Sequence, residues 1–242
     1  MKTIRNYILP LAVLVFIFAL GQQAEATSLL TNGGFESGFS GWTTADTLGS
    51  DGTFVVQSGT TSPVIGDPVP APPGGLNAAM SDGGAPGSHV LYQDFTISTT
   101  ASQFLLSFDL FIGNRAGFFA SPSTLDFGIN EANQQLRVDI LKTSADPFSV
   151  AAGDLLSNLF QSQAGDPLVA GYMTYSIDIT SLVNANLGNP MRVRFAETDN
   201  MGPLQAGVDN VNLAAVPEPS SLILVASGGL FGLVAVLRQR RT

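Results

Sequence analysis

The chain has 242 residues, with 26 glycines, 14 prolines, one histidine and no cysteine, and its formal net charge is −9. Without cysteine the fold cannot depend on disulfides, so a buried core has to stabilise it. The acidic balance excludes nucleic acid as an expected partner, because an acidic surface repels phosphate backbones.

Residues 1–26 have the organisation of a secretory signal peptide. Lys2 and Arg5 precede an apolar stretch from Tyr7 to Leu20, and the small-x-small sequence "AEA" follows. This order predicts export and cleavage before Thr27. The alternative is an uncleaved membrane anchor, which the short apolar stretch disfavours.

The region 27–215 is predicted to be one domain, long enough to bury a single core. It carries five basic residues against seventeen acidic ones, a formal charge of −12. Carboxylates are the oxygen ligands that calcium prefers, so an acidic exported domain is a candidate for calcium binding.

Four segments of this region alternate apolar and polar residues with a period of two, which predicts half-buried strands in antiparallel sheets. Turns rich in Gly, Pro, Asn and Asp separate them, as in an all-β sandwich or barrel. The segments are "FLLSFDLFI", "QLRVDIL", "YMTYSIDIT" and "MRVRF".

Two connections interrupt this pattern. Residues 58–75 form a Pro/Gly-rich loop that is too proline-broken for a central strand. The alternative, a linker between two domains, would leave too short a piece before it to fold alone. Residues 149–162 place apolar side chains at helical spacing, which predicts one short helix or turn packed on the sandwich: Leu155, Leu156, Leu159 and Phe160.

The C-terminal residues 216–242 combine three features in a fixed order. First comes an extended "VPEP" stretch, which the prolines keep out of helix. An uncharged apolar run at 222–237 follows, at the short end for a bilayer-spanning helix. Three arginines then form a basic stop that the positive-inside rule keeps in the cytoplasm. The residues are Val216, Pro217, Glu218 and Pro219 in the stretch, and Arg238, Arg240 and Arg241 in the stop.

These three features together resemble the PEP-CTERM sorting signal of Gram-negative bacteria. The resemblance implies recognition by an exosortase, an intermediate in the inner membrane, cleavage near Pro217–Pro219, and delivery to the cell surface or extracellular matrix. It also associates the protein with extracellular polysaccharide and biofilm. The alternative is a plain C-terminal membrane anchor.

The ends of the central region carry a second resemblance. The chain begins there with "LLTNGGFESGFSGWTT" and closes with "AGVDNVNL", and "VLYQDFTI" lies between them. These stretches resemble galactose-binding-like jelly rolls, a group that includes many carbohydrate-binding modules. The fold expected is therefore an all-β, antiparallel sandwich of jelly-roll type.

The resemblance also implies a structural calcium site where the two terminal strands meet. It places Glu36 and Asp209 there, with main-chain oxygen near Gly34 and a further contribution from the main chain of 74–77. Two neighbouring carboxylates repel unless they are protonated or bridged by a cation. The alternative is a turn at Asn32–Gly33 with Asp209 facing water.

Aromatic residues are the candidates for contact with a sugar. Trp42 is the only tryptophan, and its Gly-Trp context near the domain start favours a place in the core. Phe118 and Phe119 lie beside Arg115 in the loop "GNRAGFFASPST". They are weak candidates for sugar contact, but they are better placed than Trp42 for exposure to a ligand. A loop that buries one phenylalanine is the alternative there.

No catalytic constellation is present in the sequence. His89 has no cysteine partner and is expected at a polar strand edge, and neither Gly-x-Ser-x-Gly nor His-Glu-x-x-His occurs. We therefore expect a non-enzymatic surface or matrix protein that binds or organises exopolysaccharide. The alternatives are a structural or adhesive protein without sugar binding and, less favoured, a polysaccharide hydrolase.

Overall fold

A computed structural model describes residues 28–216 as two antiparallel five-stranded sheets packed face to face. The first sheet has the order β1-β4-β9-β6-β7 and the second the order β2-β3-β10-β5-β8. The strands are β1 Thr43–Asp46, β2 Thr53–Ser58, β3 Asn77–Asp82, β4 Gly87–Thr96, β5 Gln103–Asn114, β6 Gln134–Lys142, β7 Leu155–Gln161, β8 Val169–Asp178, β9 Pro190–Asp199 and β10 Leu204–Val216, with a short helix α1 at Thr180–Ala185. This is the all-β jelly-roll sandwich that the sequence predicted.

The predicted signal peptide (1–26), the predicted helix at 222–237 and the basic stop lie outside the described residues. Within 28–216 no helix is long and apolar enough to cross a membrane.

The core between the sheets is built from the residues of the predicted alternating patterns. Phe108 and Phe195 meet edge to face across the two sheets, with ring centroids 5.3 Å apart. Trp42 is buried, as predicted, between Phe35 and Phe195. Its indole nitrogen donates to the carbonyl oxygen of Thr31 at 3.1 Å, so the buried N–H has a partner.

The segment 149–162 is not helical. Residues 155–161 form β7, which pairs antiparallel with β6 at the edge of the first sheet. The pairing shifts register twice. Because of these shifts, Leu156, Leu159 and Phe160 all pack against the core, and their spacing in the sequence resembles that of a helix. The prediction of a helix there was wrong, since strand irregularity imitates a helical period over a few residues.

The polar faces of β6 and β9 are also buried, which the alternation did not predict. On the outer face of the first sheet, Asp139 accepts hydrogen bonds from Arg137 at 2.8 and 2.9 Å and from Arg194. Arg194 also donates to the carbonyl oxygens of Pro147 and Ser149 at 2.6 and 2.7 Å. The loop 143–154 is thereby held over the sheet, and Arg194 and Asp139 are fully buried.

The outer face of the second sheet is covered by the Pro/Gly-rich loop 58–75. The side-chain amide of Gln57 donates to Pro70 O at 3.1 Å, and Asp82 accepts the main-chain N–H groups of Val64 and Ile65 at 2.6 and 3.1 Å. Val69 packs with apolar side chains of that face. Loops therefore cover part of the outer face of each sheet.

We expect Arg194→Leu to destabilise the protein by about 3–5 kcal/mol, because it leaves the buried carboxylate of Asp139 with only Arg137 as a charged partner. Urea unfolding followed by circular dichroism measures the change. Arg115→Leu is the matched control: its ion pair with Asp67 is solvent-exposed, and it should cost no more than about 1 kcal/mol. Equal losses in the two variants would contradict the role of the buried pair.

Candidate functional site

The long pairing of β10 with β5 fixes the two ends of the sandwich. At one end Val216 lies opposite Gln103, and at the other Leu204 lies opposite Asn114. The twelve residues of β5 span about 36 Å at the usual rise of a strand. The segment that continues into the predicted sorting signal therefore leaves the domain at the end opposite the loops after Asn114.

The N-terminal segment joins the same strand. Leu29 donates its N–H to Leu213 O at 2.8 Å, and Val211 donates to Gly33 O at 2.9 Å. Gly33 admits no side chain, because a Cβ there would lie 1.8 Å from Val211 O. This close approach explains why a glycine is required in the "NGGFE" start, and it brings Gly34 and Glu36 toward Asp209.

The predicted calcium residues converge on the main chain of 74–77. Glu36 accepts the N–H groups of Leu76 and Asn77 at 2.8 and 2.9 Å. Asp209 accepts those of Gly74 and Asn210 at 3.0 and 2.7 Å. The structure thus brings Glu36, Asp209 and the 74–77 segment together, but the segment contributes N–H donors there and not the main-chain oxygens that the sequence analysis expected.

The electrostatics around Glu36 and Asp209 favour either a proton on Asp209 or a cation bound beside it. Burial raises the pKa of Asp209 to about 6, and repulsion from Asp109 and Glu36 adds to the rise, although hydrogen bonds from Gly74 and Asn210 oppose it. Asp109 lies opposite Asp209 on β5 and accepts a hydrogen bond from the Asn210 side chain at 2.7 Å.

The donor set at this position fits calcium only in part. Residues 28–216 contain no cluster of three or more His, Asp or Glu side chains placed to hold a metal. A calcium ion would therefore need main-chain oxygens beside the two carboxylates. A shallow, open cavity of about 470 Å³ adjoins the group, lined by the N-terminal segment, residues 210–212 and Ser107.

The loop residues predicted to contact a sugar lie at the end far from Val216, here called the distal tip (Arg115, Phe118, Val169 and Met201). The buried side chain of Asn114 organises the distal tip. It donates a hydrogen bond to Phe118 O at 2.7 Å and accepts one from the N–H of Ala116 at 2.9 Å. Arg115 pairs with Asp67 at 2.9 Å.

Surface exposure separates the three predicted sugar-contact residues. Phe118 is 41% exposed, and the Arg115 side chain is 43% exposed. Phe119 is buried in the core at 2% exposure, so it is unavailable to a ligand. The exposed side chains of Val169 and Met201, which the sequence analysis did not single out, add apolar surface at the same end. Two main-chain hydrogen bonds hold them there: Asn114 N–H donates to Leu168 O, and Met201 N–H donates to the side-chain oxygen of Gln134.

His89 is not at a strand edge, contrary to expectation. It lies on β4, between β1 and β9, and is only 3% exposed. Its Nδ1 is 2.7 Å from Asp46 Oδ1, and its Nε2 is 4.0 Å from Glu197 Oε2. A register that sets Asp46, His89 and Glu197 opposite one another in β1, β4 and β9 produces this group, and one strand read alone cannot show it.

The carboxyl groups near His89 are strongly perturbed. Burial raises the pKa of Glu197 well above its ordinary value, and repulsion from Asp199 and Asp46 acts in the same direction. Burial raises the pKa of Asp199 to about 7, against hydrogen bonds from the N–H groups of Gly87 and Leu204. Ser88 is next to His89 on an extended strand, so its side chain points to the other sheet face and cannot serve as the nucleophile of this pair.

Comparison with known proteins identifies the C-terminal segment. Residues 215–241 match the PEP-CTERM protein-sorting motif. The protein is therefore an exported, exosortase-sorted protein, directed to the cell envelope or surface as in Gram-negative bacteria. No curated protein sequence matches the chain.

Solved structures of similar fold include sugar-binding, adhesive and enzymatic proteins. The carbohydrate-binding module TmCBM61, in complex with β-1,4-galactotriose, is 12% identical with a TM-score of 0.47, over 78% of this chain and 99% of that one. The K3 adhesin domain of Lys-gingipain from Porphyromonas gingivalis W83 is 14% identical with a TM-score of 0.46, over 78% and 97% of the two chains. A Stig cyclase from Fischerella sp. TAU is 19% identical with a TM-score of 0.46, over 79% and 98%.

We expect the protein to lose stability as the pH rises from about 4 to about 8. The folded state keeps a proton on Asp199 up to about pH 7, whereas the unfolded chain releases it near pH 4. This contribution is therefore complete below pH 4 and lost above pH 7, and it amounts to at most about 4 kcal/mol.

Urea unfolding at a series of pH values without divalent cations measures this effect. Asp199→Asn should reduce the change in unfolding free energy between pH 5 and pH 7. Asp178→Asn, at a fully exposed position, should leave that change as in the wild type, because hydrogen bonds from Thr180 and Gln103 lower the pKa of Asp178. A wild-type stability that stays constant or rises over this range would contradict the raised pKa.

Proposed function

We propose that this protein is a non-enzymatic component of the cell surface or extracellular matrix that binds or organises exopolysaccharide through its distal tip. The observation that carries the proposal is the position of the tip. It lies about 36 Å along β5 from the strand end that leads into the sorting motif. A protein held at its C-terminal end would present this tip outward.

The chemistry of the tip supports contact with a sugar. An exposed aromatic ring offers an apolar face for the C–H groups of a pyranose, and an arginine with its paired carboxylate offers hydrogen bonds to hydroxyl groups. Phe118, Arg115 and Asp67 provide these groups. The covering loops restrict access to the outer faces of both sheets, which favours the exposed tip as the binding surface.

The charge of the domain favours a neutral polysaccharide over an acidic one. Five basic residues against seventeen acidic ones would repel a uronic-acid polymer at low ionic strength. Four of the five basic side chains are also engaged elsewhere: three arginines lie in buried or half-buried ion pairs, and Lys142 donates to the Gly153 carbonyl at 2.6 Å.

The enzyme alternative lacks an accessible constellation in residues 28–216. His89 is buried although its partner Asp46 is 35% exposed, and the neighbouring Ser88 points to the other sheet face. A structural or adhesive role without sugar binding remains the second candidate, because the same outward tip would serve contact with another surface.

We expect the exported protein to be retarded in affinity gels that contain neutral polysaccharide from the producing cell. Phe118→Ala should weaken this binding about five- to tenfold by removing the exposed ring. Leu48→Ala is the matched control, since Leu48 is a fully exposed apolar residue in the turn after β1. Release of reducing sugar would favour the hydrolase, and absence of retardation with any such polysaccharide would favour the structural role.

We further propose that calcium binds between Glu36 and Asp209 and stabilises the junction of the N-terminal segment with β10. Saturating calcium, at about 100-fold over its dissociation constant, should stabilise the fold by about 2.7 kcal/mol at pH 8. Thermal unfolding with calcium and with chelator measures the gain. Glu36→Gln and Asp209→Asn should abolish it and Asp178→Asn should not; an unchanged melting temperature in the wild type would rule the site out.

A further inference from the structure

We infer that the last residues of β10 form a latch that has to open before the sorting signal can be processed. This C-terminal latch consists of Ala215 and Val216, at the end of the strand, and of Ser102, which holds Val216. The inference goes beyond the sugar binding proposed for the distal tip and does not depend on it. It rests on the sorting motif and on the strand that leads into it.

The first observation is that the sorting motif begins inside the folded domain. The matched segment covers residues 215–241, whereas β10 continues to Val216. Ala215 and Val216 therefore belong both to the sheet and to the motif, and no linker residue separates the two. Pro217, the first proline of the "VPEP" stretch, follows directly.

The second observation is that β10 is hydrogen-bonded up to its last residue. Ser102 donates both its main-chain N–H and its hydroxyl group to Val216 O, at 2.9 and 2.8 Å. This oxygen belongs to the peptide bond between Val216 and Pro217. Chain ends usually fray at little cost in free energy. The two hydrogen bonds hold the part of β10 that would otherwise be the first to separate from β5.

The neighbours of the latch are themselves anchored. Phe104, which lies opposite Ala215 on β5, is buried in the core at 1% exposure, and its N–H donates to the hydroxyl group of Thr180 at 2.8 Å. On the other side of β10, Ser28 forms an antiparallel bridge with Ala214. Opening therefore has to start at the C-terminal end of β10, because both neighbours of the strand are fixed.

A peptidase cannot use this junction while the latch is closed. Extended segments are recognised by adding as a strand to the partner, which requires free main-chain N–H and C=O groups beside the bond that is cut. The cleavage expected near Pro217–Pro219 has Ala215 and Val216 directly before it, and these two residues are paired with β5. Two extended residues span only about 7 Å, too little to carry the bond from the sheet into a cleft.

Ser102 is accordingly a positioning residue for processing, because it acts through Val216 and not on the bond that is cut. The Ser102→Ala change removes the hydrogen bond of the hydroxyl group and leaves that of the main chain. Loss of one hydrogen bond of ordinary strength should raise the fraction of open latch, and with it the rate of processing, by about two- to tenfold.

Pulse-chase labelling of the full-length chain in the producing bacterium measures this rate, and intact mass shows the loss of the C-terminal residues. Ser102→Ala should be processed about two- to tenfold faster than the wild type. Ser98→Ala is the matched control, because Ser98 is exposed in the same loop between β4 and β5, and it should leave the rate unchanged. Circular dichroism and melting temperature show that each exported variant is folded.

A linker variant separates opening of the latch from recognition of the motif. Gly-Ser-Gly-Ser and a second copy of the pair 215–216 are inserted after Val216, so that the latch and the complete matched segment are both kept. We expect processing at least threefold faster than in the wild type. Ser102→Ala should add nothing in this variant, because the latch no longer lies beside the motif.

Three results would overturn the inference. They are an unchanged rate in the linker variant, an unchanged or slower rate in Ser102→Ala, and an acceleration by Ser102→Ala that persists in the linker variant, which would assign Ser102 a direct effect on the peptidase. A wild-type chain that keeps residues 217–242 would overturn it as well. None of these results alters the polysaccharide retardation expected from the distal tip, so the two proposals fail independently.

Discussion

The pairing of β10 with β5 is the constraint on which the rest of the structure depends. Eleven residue pairs join the two strands, from Leu204–Asn114 at one end to Val216–Gln103 at the other. The N-terminal segment adds to β10, and the close approach at Gly33 allows it to do so. Because the same ladder brings Glu36 toward Asp209 and separates the distal tip from the sorting motif, the metal proposal and the binding proposal rest on one register.

The partial covering of both outer sheet faces restricts where a partner can bind. Buried polar groups are stable only when their hydrogen bonds and charges are satisfied. Arg194 achieves this by donating hydrogen bonds to main-chain carbonyls of loop 143–154 and to the carboxylate of Asp139. On the other sheet Asp82 captures N–H groups of loop 58–75. The loops leave accessible the ends of the sandwich and the part of the second sheet's outer face beside β8.

The sequence predicted the all-β sandwich because a period of two is directly visible in one strand. It predicted the core position of Trp42 and the approach of Glu36 and Asp209 to the same segment because family resemblance supplied the pairing of the termini. It failed at β7, where an irregular register imitates a helix. It also missed the buried group around His89, because that group depends on the register of three strands that are distant in the chain. Loops folded over polar strand faces leave no periodic signal at all.

The end of β10 has a mechanical consequence. Val216 O accepts hydrogen bonds from the main chain and the side chain of Ser102, directly before the proline of the sorting motif. If the C-terminal side is held and a ligand pulls on the loop after Asn114, tension enters β10 and β5 at opposite ends. The hydrogen bonds between them lie perpendicular to the strands, so the load shears all of them together and does not unzip them one by one. This topology makes the domain resistant to a pull along that line.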